Sequence, residues 1–245
     1  MSEVIVITSG KGGVGKTTTA ANLGTALSLE NKKTVIVDAD IGLRNLDVVM
    51  GLENRIVYDL CDVIEEKCKL RQALIKDKRF KELFLLPAAQ TKDKTAVNET
   101  EMRRLIEQVS KDFDYILLDS PAGIEQGFKN AIAGATRAFV VTTPEVSAIR
   151  DADRIIGLLE ANEMKQTHLI VNRLRNQMVK DNNMMSSDDV VDILASSNVL
   201  EMPEGTTRLA NIHPGKVSDM SKIMELSGMK ELLFNQYENH RESFS

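Results

Sequence analysis

Apolar positions along the chain follow two alternating rhythms. Short unbroken runs recur: Val4-Ile5-Val6-Ile7, Thr34-Val35-Ile36-Val37, Leu83-Phe84-Leu85-Leu86, Tyr115-Ile116-Leu117-Leu118, Ala138-Phe139-Val140-Val141-Thr142 and His168-Leu169-Ile170-Val171. Runs of that length, rich in Val, Ile and Leu and bounded by turn residues, read as strands buried on both faces. Between them apolar residues return at helical spacing. Ala20, Leu23, Gly24 and Leu27 share one face, and so do Met102, Leu105, Ile106 and Val109 within a helix over Glu99–Ser110. Residues 56–76 also read as one helix ending near Lys76, and 88–100 as a polar connection after the strand that Pro87 stops. Strands alternating with helices predict a doubly wound α/β fold with a mostly parallel sheet.

The first strand runs into Ser9-Gly10-Lys11-Gly12-Gly13-Val14-Gly15-Lys16-Thr17-Thr18 and then into the first helical stretch. Gly10, Gly15, Lys16 and Thr17 satisfy every fixed position of G-x-x-x-x-G-K-[ST], in the strand–loop–helix setting that a phosphate-binding loop requires. Glycines allow the backbone angles that aim successive N–H groups at one anion, and the helix adds the positive end of its dipole. Gly10, Lys11, Gly12, Gly13, Val14 and Gly15 are therefore the expected phosphate cradle. Lys16 reaches β- and γ-phosphates, the Thr17 hydroxyl ligates Mg²⁺, and Thr18 donates to the α-phosphate.

Three aspartates end strands. Asp38 and Asp40 follow Thr34-Val35-Ile36-Val37, and Asp119 follows Ile116-Leu117-Leu118. Ligands of doubly wound sheets sit outside the carboxyl ends of the strands, so all three should face the phosphates. Asp119 is the expected Mg²⁺ carboxylate, acting through water. Downstream of it, the Gly123 N–H is placed to sense a γ-phosphate. After the His168 strand comes Asn172, whose amide offers both a donor and an acceptor.

Composition adds exclusions. The chain has 245 residues and 42% apolar content, enough for one large domain with a sizeable core, here taken as 1–245. A net charge of −5 argues against nucleic acid as a bulk electrostatic partner. Early charges and the glycine loop argue against a signal peptide, and no apolar run reaches transmembrane length. Cys61 and Cys68 lack metal-like spacing and read as reduced thiols of a cytoplasmic protein.

The second lysine of the loop, Lys11 in Lys-Gly-Gly-Val-Gly-Lys-Thr-Thr, makes it resemble the deviant Walker A family of MinD, ParA and the nitrogenase iron protein. Further stretches carry the resemblance toward the MinD branch. Asp38-Ala-Asp-Ile-Gly-Leu-Arg-Asn-Leu-Asp47 resembles its switch I, Asp119-Ser-Pro-Ala-Gly-Ile-Glu125 its switch II, and Pro144-Glu-Val-Ser147 a loop at its dimer interface. The resemblance implies a sheet of seven or eight strands and an ATP-dependent homodimer with Mg²⁺. It implies Lys11 reaching in trans to the partner's phosphates like an arginine finger. By the same resemblance Asp40 orients the attacking water and Asp38 lies near Mg²⁺. Asn45, Gly123 and Glu145 belong to the switch and dimer surfaces. Asn172 and Arg173 bind the adenine side, joined by Pro203 and Glu204.

That resemblance is close to about residue 194 and weaker beyond, where Glu201 falls at an expected core position. Members of the MinD branch end in a basic amphipathic helix that inserts into membrane. Here residues 229–245 carry Lys230 and Arg241 against Glu231, Glu238 and Glu242, which predicts weak or absent membrane binding. The expected function is a MinD-type ATPase of division-site selection, hydrolysing ATP to ADP and phosphate. Implied partners are MinC-like and MinE-like proteins, and the implied location is cytoplasmic, peripheral on the inner face of the membrane. The alternatives are a segregation ATPase or flagellar-number regulator of the same family, or a nucleotide-binding scaffold without useful turnover.

Overall fold

A computed structural model describes residues 2–43, 45–93 and 96–194, and the backbone of 199–203. In chain order the elements are β1 (Glu3–Thr8), α1 (Lys16–Leu29), β2 (Thr34–Asp38), α2 (Leu46–Met50), α3 (Leu60–Ile64), α4 (Leu70–Ala73), β3 (Ile75–Lys76) and β4 (Leu83–Leu86). They continue with α5 (Glu99–Val109), β5 (Tyr115–Asp119), α6 (Gln126–Ile132), β6 (Arg137–Thr142), α7 (Val146–Ala161), β7 (Thr167–Leu174), α8 (Asn176–Lys180), α9 (Ser187–Leu194) and β8 (Val199–Pro203). The strands form an eight-stranded sheet in the order β3-β4-β2-β5-β1-β6-β7-β8. All neighbours are parallel except β3, which runs antiparallel to β4 at the edge.

β1 sits between β5 and β6. The chain leaves β1 toward β2 on one side and later continues from β6 to β7 on the other. That reversal opens a crevice outside the carboxyl ends of β1 and β6, where doubly wound folds bind ligands. Successive residues of the central strands feed opposite apolar layers. Val4, Val6, Val35, Val37, Ile116 and Leu118 pack into one, which takes in α5 and α6. Ile5, Ile7, Ile36 and Leu117 pack into the other, under α1 and α2. Gly24 lets α1 lie close to the sheet, because a Cβ there would come within 2.7 Å of the Ile36 side chain.

Two local expectations change. Residues 56–76 are not one helix: they form α3, α4 and the edge strand β3. Asp59 starts α3 with a capping box. Glu66, in the left-handed region at φ 59, ends the helical path, and Ile75 is buried by pairing with Leu85. The second strand stops at Asp38, so Asp40 already lies in the loop. The segment over 229–245 and Glu204 lie outside the described residues.

Candidate nucleotide site

Gly10 to Thr17 wraps over the carboxyl end of β1. Gly13 and Gly15 hold positive φ values of 78 and 108, and Gly15 hands the chain directly to α1. Two of the glycines are also fixed by packing. A Cβ on Gly10 would overlap the backbone carbonyl of Asp151 in α7, and one on Gly15 would overlap the Asn172 amide. Lys16, the first residue of α1, is buried. Burial pulls its pKa down, and the nearby carboxylates of Asp119 and Asp40 oppose that pull. Thr17 and Thr18 are half-buried on the first turn.

Asp38 and Asp119 are register partners at the ends of β2 and β5. Asp38 accepts from the backbone N–H groups of Asp40 (3.0 Å) and Leu46 (3.4 Å), so one buried carboxylate pins both ends of the loop that separates β2 from α2. Burial and the charge of Asp119 raise its pKa well above the usual carboxylate range. Asp119 is pushed up to about 7, chiefly by burial, while a hydrogen bond from Thr17 and the Lys16 charge pull it back. Its Oδ1 is buried with no hydrogen-bond partner. An orphaned carboxylate oxygen beside a threonine hydroxyl fits Mg²⁺, which takes oxygen ligands and keeps waters and substrate phosphates in its remaining positions. Among the described residues, no group of three or more His, Cys, Asp or Glu could hold a metal ion.

Lys11 and Glu145 meet across the crevice. Lys11 Nζ donates to Glu145 Oε2 at 3.2 Å and to Ser147 Oγ at 3.3 Å within the same chain. Glu145 precedes α7 without capping it through its side chain, so its carboxylate serves Lys11 instead. The Gly123 N–H donates to the Ser9 carbonyl at 3.1 Å, tying the loop after β5 to the loop after β1. To sense a phosphate, that N–H has to exchange its partner. Asn172 and Arg173 lie at the far side of the glycine loop and touch it through their side chains. Pro203 pairs with Leu174 at the end of β8, and Asn45 stands exposed before α2. Ser147, in the stretch that resembles the interface loop, joins this neighbourhood through Lys11, and the Asp151 backbone joins it through Gly10. Cys61 is buried with its thiol pushed up to about 12, and Cys68 is half-buried.

A parallel sheet with a glycine loop at its switch point, a buried lysine and strand-end carboxylates defines a P-loop nucleoside triphosphatase. The family profile described as "AAA domain" matches residues 2–171. The septum site-determining protein MinD of Bacillus subtilis (strain 168) is 61% identical over 197 residues, covering 80% of this chain and 74% of that protein. Among solved structures, the MinC:MinD cell division protein complex of Aquifex aeolicus matches with a TM-score of 0.81 at 45% identity, covering 93% of this chain and 95% of that one. MinD of Pyrococcus horikoshii complexed with Mg-ADP matches with a TM-score of 0.77 at 26% identity, covering 94% and 99%. This chain belongs to the MinD family of septum site-determining proteins.

Proposed function

We propose that the chain is a Mg²⁺-dependent ATPase switch of division-site selection, which dimerises with ATP and is reset by hydrolysis to ADP and phosphate. The observation that carries this reading is the buried Lys16 between a glycine loop and the carboxylates of Asp119 and Asp40. The Mg-ADP complex of the Pyrococcus horikoshii relative supports the choice of ligand.

The backbone N–H groups from Gly12 to Thr17 receive the phosphate oxygens, and Lys16 places a cation beside the γ-phosphate. Thr17 and Asp119 would hold Mg²⁺, which would supply neutralisation of the phosphate charge. Asp38 keeps the switch loop in place, and Asp40 orients the water that attacks the γ-phosphorus. The bond from that phosphorus to the bridging oxygen breaks, and the oxygen leaves on ADP. Positioning and electrostatics suffice for such a transfer without a strong base. Lys11, at the rim of the loop, gives up Glu145 and reaches the partner subunit's phosphates. Asn172 and Arg173, with Pro203, flank the adenine.

A MinC-like protein is the expected partner, supported by the complex of the Aquifex aeolicus relative. A MinE-like activator and the inner face of the membrane follow from the sequence resemblance. The two basic against three acidic residues over 229–245 support weak affinity of that segment for anionic lipid. No helix among the described residues is long and apolar enough to cross a membrane. The reading is tested by phosphate release from Mg-ATP with the wild type and Lys16→Ala, together with pelleting on anionic vesicles with ATP or ADP. Release that survives the loss of Lys16 would overturn the assignment of the site.

A further inference from the structure

Asn172 and Arg173 lie near the carboxyl end of β7, behind the phosphate loop, and both spend their side chains on that loop. Asn172, buried at 8% exposure, donates from Nδ2 to the Val14 carbonyl at 2.8 Å. Arg173 donates from Nη2 to the Gly13 carbonyl, also at 2.8 Å. Asn172 Oδ1 in turn accepts the Arg173 N–H at 2.8 Å, which fixes the orientation of the amide.

Consecutive strand residues normally point to opposite faces. Here the alternation is broken. Arg173 holds the left-handed backbone at φ 63, and the β7–β8 register slips between Val171 and Leu174. Left-handed backbone is costly for a long L side chain, and bulges re-aim side chains beside functional sites. The result is two adjacent donors converging on two adjacent carbonyls. Gly15 makes room for Asn172, since any Cβ there would overlap its amide.

In a planar trans peptide the C=O and the next N–H point in opposite directions. Drawing the Gly13 and Val14 carbonyls toward β7 therefore turns the N–H groups of Val14 and Gly15 the other way, toward the anion. We infer that Asn172 and Arg173 are positioning residues of the phosphate loop, which preset the Val14 and Gly15 amides before nucleotide arrives. This inference rests on the ATPase reading above and deepens it. The residues placed at the adenine also set the geometry that receives the phosphates, so base and phosphate recognition are coupled through Asn172.

The test separates loop positioning from base contact by using a ligand without a base. The full chain is titrated calorimetrically with Mg–inorganic triphosphate and with Mg-ATP, for the wild type, Asn172→Ala, Arg173→Ala and Arg173→Lys. Asn172→Ala changes no charge, so lost attraction for the anion cannot explain its effect. The expected result is triphosphate binding weakened about 3- to 10-fold in Asn172→Ala, the size of one net hydrogen bond. Arg173→Lys should retain more affinity than Arg173→Ala, and the Val14 and Gly15 amide resonances of the ligand-free protein should move in the variants. Melting curves check folding, and if Asn172→Ala unfolds, the exposed Arg173 variants carry the comparison. Unchanged triphosphate affinity with weaker ATP binding would overturn the inference and leave these residues as base readers. A wild type that binds ATP but no triphosphate would also overturn it. A wild type that binds neither would overturn the ATPase reading itself.

Discussion

Asp38 and Asp119 face each other as the last register pair between β2 and β5, and both carboxyl groups are buried. Two carboxylates set side by side out of water are unfavourable unless a cation or protons neutralise them. The pairing therefore stores a demand for positive charge at the point where Lys16 and the Thr17 hydroxyl arrive.

A pH dependence follows with a definite sign. Asp119 is raised from 3.8 to about 7 in the folded protein. A raised carboxyl contributes stability that is full below its unfolded value and is lost as pH rises through its folded value. The metal-free protein should lose stability between about pH 4 and about pH 7, and Asp119→Asn should flatten that loss. Mg²⁺ must displace the same proton, so its affinity should rise over the same window. Thermal melts with and without Mg-ADP across that range check both slopes. Parallel curves for the wild type and Asp119→Asn would refute the assignment.

Lys16→Ala removes the one buried cation facing Asp119 and Asp40 among the described residues. Turnover should fall on the order of 10²- to 10³-fold, the usual cost of deleting a preorganised charge-stabilising donor. Steady-state phosphate release at saturating Mg-ATP measures it. A loss below about tenfold would mean that another group carries the charge.

The Lys11–Glu145 pair is exposed on both sides, at 43% and 59%. Such pairs stabilise by about 0–1 kcal/mol. Glu145→Ala should leave the denaturant midpoint nearly unchanged, and the ATP-dependent dimer should form at least as tightly as in the wild type, because Lys11 no longer has to be released. A weaker dimer would show that Glu145 works across the interface.

Gly10→Ala and Gly15→Ala should both abolish tight nucleotide binding. The first overlaps the Asp151 carbonyl. The second combines φ 108 with overlap of the Asn172 amide. A destabilisation of about 1–3 kcal/mol each is expected, read by chemical unfolding alongside nucleotide titration. Gly157→Ala, in α7 away from the loop, meets nothing within 4 Å and carries no positive φ, and is the control.

Much of this arrangement was legible in the chain. Unbroken apolar runs such as Val4–Ile7 and Ile116–Leu118, short and bounded by turn residues, read as strands covered on both faces, and the glycine loop points to a phosphate ligand through backbone chemistry. The edge was harder to read. Residues 56–76 have helical spacing, but the left-handed Glu66 and the pairing of Ile75 with Leu85 break them into short pieces. That outcome depends on tertiary contacts, which local periodicity does not encode. The sequence marks Asn172 only as an amide suited to a purine edge. Its bond to Val14, 158 residues earlier, depends on a bulge in β7 that leaves no composition signal.

The central claim is an ATP-dependent dimer in which Lys11 acts across the interface. Size-exclusion chromatography with light scattering, comparing Mg-ATP with Mg-ADP, tests it most directly. The expected mass with Mg-ATP is about 54 kDa, twice the 27.2 kDa chain, and one chain with Mg-ADP. Lys11→Ala should stay monomeric with either nucleotide while still binding ATP. A monomer with Mg-ATP, or a dimer unchanged by Lys11→Ala, would contradict it.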